Sequence, residues 1–125
     1  MAVADRTIEY FDDGEAYWAW LEVNHTNPDG VWVALAKKES TRRTLSYEDA
    51  VLAALCYGWI DGQARRLDDD YYLLGFTPRR RRSPWSRSNV DRVAVLAEQG
   101  LIRPPGQAEI DRAKADGRWA AALEQ

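Results

Sequence analysis

The sequence predicts an α+β domain, mostly helical, with about four helices and a small antiparallel sheet of two or three short strands. Three observations carry that class. Polar capping residues precede apolar stretches at helical spacing, two short β-rich runs lie far apart in the chain, and Gly and Pro punctuate the intervals. At 125 residues the chain has the size of one ordinary domain, which buries about two-thirds of its unfolded surface. Residues 1–125 are therefore read as a single domain.

Met1–Phe11 reads as a lead-in with a short extended piece through Thr7, Ile8 and Tyr10. Asp12 or Asp13 then offers a capping oxygen, Glu15 suits a first helical turn, and Tyr17, Trp20, Leu21 and Asn24 recur at helical spacing, giving a first helix over about Gly14–Val23. Asn27, Pro28, Asp29 and Gly30 make a turn. Val31–Ala36 is short, apolar and β-rich, a strand with a basic exit at Lys37 and Lys38. Ser46 and Asp49 stand at capping-box spacing before an apolar run, so a second helix spans about Tyr47–Tyr57 and stops at Gly58. Its apolar residues surround it, as in a central helix packed on several sides. Tyr71–Phe76 is the second β-rich run and the expected partner of the first. Ser86 or Ser88 caps a third helix with Val93, Leu96 and Ala97 in its core stripe and Gly100 at its end. Pro104, Pro105 and Gly106 interrupt the chain, and a fourth helix covers about Gln107–Asp116 before Gly117.

Composition excludes several classes. One cysteine, Cys56, and one histidine, His25, make neither an internal disulfide nor a Cys/His zinc site. No glycine-rich nucleotide loop or paired carboxylates at metal spacing occur, so neither a cofactor nor a metal is expected. The longest uncharged apolar stretch, Ala50–Ile60, is about half the length that crosses a bilayer, and Met1–Thr7 is polar rather than signal-like. A soluble, cytoplasmic protein with no membrane attachment is the expectation. The net charge of −3 conceals a segregation: Thr77–Arg92 holds six arginines against Asp91 alone. With a pI of about 5.2, the chain lacks the broad positive face of a nucleic-acid-binding domain. A compact anion pocket fits these numbers better.

The strings LCYGWIDG at Leu55–Gly62 and FTPRRRRSPWSRSN at Phe76–Asn89 resemble the YdeI/OmpD-associated family, also labelled bacteriocin-protection. WL at Trp20–Leu21, NH at Asn24–His25, VWV before Lys37 and Lys38, LSYEDAV at Leu45–Val51 and AKADGRW at Ala113–Trp119 extend the resemblance in order over nearly the whole chain. It implies a role in stress or bacteriocin protection and assigns no chemistry. Similar members continue past the GRW element, whereas six residues follow Trp119 here. An apolar face left uncovered there is expected to favour a homodimer. Four consecutive arginines depart from the less uniformly basic pattern of such members, so Arg81 and Arg82 are read as a solvated face.

The candidate site is a pocket of Trp59, Asp61, Arg79, Arg80, Ser83, Trp85, Ser86 and Asn89, with Lys37 adding charge. Arginine forks hold carboxylate or phosphate bidentately, and a helix start presents free N–H groups to the same anions. Trp59 and Trp85, lying inside the two polar motifs, are the expected walls, whereas Trp20, Trp32 and Trp119 are assigned to the core. The plain alternative pairs the arginines with Asp68, Asp69 and Asp70 and leaves Ser86 or Ser88 as a cap. An anionic small molecule or a phosphate-bearing partner is the expected ligand of a binding domain. Two other readings stand beside it: a small enzyme with Asp61 or His25 moving a proton, and a single-stranded nucleic-acid binder using arginines and stacked indoles. Neighbouring arginines hold a carboxylate's pKa down, which disfavours Asp61 as a base. Cys56 near a helix C-terminus is disfavoured as a nucleophile.

Overall fold

A computed structural model describes residues 6–125; the first five residues of the expected lead-in lie outside the described residues. The order is β1 (Thr7–Tyr10), α1 (Gly14–Asn24), β2 (Val31–Ala36), α2 (Tyr47–Cys56), β3 (Trp59–Arg66), β4 (Tyr71–Pro78), α3 (Arg87–Glu98), α4 (Pro104–Asp116) and α5 (Arg118–Leu123). The strands form one sheet in the order β1-β2-β4-β3, with β1 parallel to β2 and the other pairs antiparallel. The α+β class holds, but the expected two or three antiparallel strands and four helices are corrected to a four-stranded mixed sheet and five helices among the described residues. The parallel pair arises because α1 serves as the crossover between β1 and β2. β3 carries no apolar alternation, being an edge strand exposed along most of its length.

The caps act as their residue types dictate. Asp13 accepts from the Ala16 N–H, Ser46 from Asp49 and Ser86 from Asn89. α4 begins at Pro104 rather than at Gln107, because prolines in a first turn lack only N–H groups that would have no helical partner. Val31, Val33, Leu35, Leu74 and Phe76 face the helices and pack with Tyr17, Leu21, Ala50 and Ala54 into the main core. The opposite sheet face carries a second small cluster of Trp32, Ala34 and Leu73, which no helical residue joins.

The α2–β3 turn and the start of α4 meet backbone to backbone. Gly58 has φ +76°, and a Cβ there would stand 2.8 Å from the Pro105 carbonyl oxygen. A Cβ at Gly106 would collide with the Cys56 carbonyl. The Arg103 N–H donates to Cys56 O and the Arg79 N–H to Gly58 O, each at 2.9 Å. Among the described residues no helix is long and apolar enough to cross a membrane.

Candidate functional site

The expected site residues separate into distinct places. The Lys37 N–H donates to Asp70 O at one end of the sheet, whereas Arg79 follows the other end of β4. Strand geometry puts about 25 Å between them. Trp59 is 1% exposed, packed edge-on against Trp20, with its Nε1 donating to the His25 carbonyl. Ser86 is the α3 cap. Asn89 is buried and its Oδ1 accepts from Arg92, whose guanidinium also pairs with Glu48. Asp61 accepts from the Tyr47 hydroxyl at 3.3 Å.

Arg79 and Trp85 do converge. The guanidinium lies 3.8 Å from the Trp85 ring centroid, and Nη1 donates to the Pro84 carbonyl at 3.1 Å. Arg79 is only 7% exposed, and its Nε and Nη2 have no hydrogen-bond partner among the described residues. Burial pulls its pKa down to about 10, still charged at neutral pH; the Glu109 carboxylate opposes that fall and Arg118 adds to it. Arg118 in turn donates to the Ser83 carbonyl and pairs with Asp116. This arrangement braces the 79–86 segment against α4 and α5, with Trp85 against Trp119 at 4.9 Å.

Arg80 goes elsewhere. Its N–H donates to Ser83 Oγ while the Ser83 N–H returns to the Arg80 carbonyl, a tight turn that leaves the Arg80 side chain exposed. Arg80 lines a hollow of about 230 Å³ together with Arg6, Gly62, Gln63, Gly75 and Thr77. The hollow owes its shape to a β-bulge: the pairing passes from Asp61↔Phe76 to Ala64↔Leu74, so Gly62 and Gln63 stand opposite Gly75 alone. Glycine at 75 leaves room for Arg6, since a Cβ would lie 2.7 Å from Arg6 Nη1 and 3.1 Å from the Trp32 ring. Arg6 is further held by its Nε donating to the Asp29 carbonyl and by stacking 4.8 Å from the Trp32 centroid. Burial lowers the Arg6 pKa, and nearby Asp29 raises it. Among the described residues, none that lines the hollow carries a carboxylate.

The two candidate proton carriers stand outside it. The His25 ring lies against Tyr57, with Nδ1 3.1 Å from the Leu21 carbonyl at the end of α1. Among the described residues no cluster of three or more His, Cys, Asp or Glu side chains could hold a metal ion. The family described as a domain of unknown function, DUF8412, matches residues 9–109. The chain belongs to this family. No curated protein and no solved structure matches this DUF8412 chain. Arg6, Gln63, Gly75 and Thr77 were not legible as site residues. The signal available was the pair Gly62 and Gly75, which becomes informative only once β3 and β4 are paired.

Proposed function

We propose that the domain binds small anions bearing a carboxylate or phosphate group, in the hollow between Arg6 and Arg80. One observation supports the reading above others: two guanidinium groups from distant parts of the chain line one hollow with a hydroxyl and a carboxamide, and with no carboxylate among the described residues. Guanidinium forks, Thr77 and Gln63 supply donors for an oxyanion, and the bulge glycines let it approach the backbone. A binding role is favoured over proton transfer because neither Asp61 nor His25 lines the hollow. The resemblance to the YdeI/OmpD-associated family adds a setting to the proposal, anion binding in stress or bacteriocin protection. The composition supports a cytoplasmic location.

The test is calorimetric titration with inorganic phosphate and with succinate, repeated on Arg80→Ala and Gly75→Ala. A charge-assisted hydrogen bond contributes roughly 1.5–3 kcal/mol, so Arg80→Ala weakens binding at least about tenfold. Gly75→Ala displaces the flexible end of Arg6 and weakens binding while the strand persists. Wild-type affinity in both variants, or no heat with either anion, would overturn the proposal.

A further inference from the structure

A second hollow lies on the other side of the molecule, among α1, α2, α3 and Leu101, with a volume of about 480 Å³. Its walls are apolar: Trp18, Leu52, Ala53, Leu96 and Leu101, with the buried Cys56 behind them. This volume lies within the range of pockets that enclose small organic ligands. Its rim is acidic. Gly14 and Asp49 bring the starts of α1 and α2 together, a Cβ at Gly14 standing 3.2 Å from the Asp49 Cβ. Glu15 and Asp49 therefore share one edge of the hollow. Both are exposed, and among the described residues neither carboxylate has an ion pair.

Each carboxylate alone suits the first turn of its helix. Helix-end electrostatics does not account for two of them, from different helices, bordering the same apolar cavity. Arg103, stacked on Trp18 at 4.5 Å, and Arg92, paired with Glu48, do not line the hollow. We infer that this hollow binds a small hydrophobic amine, its apolar body among Trp18, Leu52, Leu96 and Leu101 and its ammonium group at Glu15 and Asp49. Charge complementarity selects the amine over an acid of the same skeleton. This site would be independent of the Arg6–Arg80 hollow and of opposite preference.

Three probes of one skeleton test the inference: 4-phenylbutylamine, 4-phenylbutanol and 4-phenylbutyrate, titrated into the isotopically labelled protein and followed at the Trp18 indole N–H, assigned through Trp18→Phe. Exposed ion pairs are each modest, up to about 1 kcal/mol, so the amine is expected to bind about fivefold more tightly than the alcohol, and the acid more weakly than both. The Glu15→Gln/Asp49→Asn double variant, altered only at exposed positions, brings the amine to the affinity of the alcohol and leaves the alcohol unchanged. Ala53→Met, which fills the cavity, weakens all three probes. Equal affinity for amine and acid, shifts centred on the Arg6–Arg80 hollow, or no binding at millimolar concentration would each overturn the inference.

Discussion

Replacing Arg79 by alanine separates a brace from a ligand-binding group. The guanidinium stacks on Trp85 at 3.8 Å in a buried setting, a contact that contributes about 2 kcal/mol when desolvated. The bond from Nη1 to the Pro84 carbonyl adds about 1.5 kcal/mol. Truncation also leaves a void beside Trp85, a further loss of about 1–2 kcal/mol. Against these stands the relief of desolvating a cation with two unpaired donors, on the order of 2 kcal/mol. The net loss is about 3 kcal/mol, or about 12 °C in melting temperature for a domain of this size. Arg79→Met keeps an apolar stem on Trp85 and loses about 1 kcal/mol by the same reckoning. Urea denaturation followed by tryptophan fluorescence measures both, and each is repeated with phosphate. Arg79→Ala should lose stability and keep its response to phosphate, the reverse of Arg80→Ala. An Arg79→Ala protein that melts with the wild type and ignores phosphate would refute the brace and return Arg79 to the ligand.

Two further outcomes follow from buried tyrosines. Tyr17 is fully buried between Phe11 and Phe76, and its hydroxyl has no partner among the described residues; Tyr17→Phe keeps the ring contacts and should stabilise the fold by about 1 kcal/mol, read as a higher urea midpoint. Burial, assisted by the bond to Glu22, pushes the Tyr57 pKa up to about 12. The unfolded chain releases that proton near pH 10 while the folded chain holds it, so the stability contribution is intact below pH 10 and is lost as pH climbs toward 12. Melting curves over that window should fall less steeply for Tyr57→Phe than for the wild type.

The helices were legible because their signals are local. Asp13, Ser46 and Ser86 each cap through their own side chain to an N–H three residues on, and that spacing is written in the sequence. β3 was not legible because its residues answer to a partner rather than to a pattern: Arg65 and Arg66 are exposed, and the strand exists through β4. α5 is short, follows Gly117 directly and has no side-chain cap to announce it, so Gly117 reads as the end of the last helix. At the site, the contact of Arg79 with Trp85 lies within one motif and was accessible to a reading of that motif. That Arg80 and Arg6 line one hollow depends on the β3–β4 bulge, which no local spacing encodes. Trp59 carries the polar company of its motif in sequence but turns its indole toward Trp20 and the His25 carbonyl. The acidic-rimmed hollow was hidden for another reason, since Leu52 and Leu96 have the same apolar character whether they meet a neighbour or border open space.

The approach of Gly58 to Pro105 and of Gly106 to Cys56 works as a rivet. A backbone carbonyl oxygen is the nearest atom to the Cβ position at both glycines, so a side chain added at either would wedge the start of α4 away from the end of α2. The seating of the C-terminal helices beside the α2–β3 turn thus depends on two positions that carry no side chain.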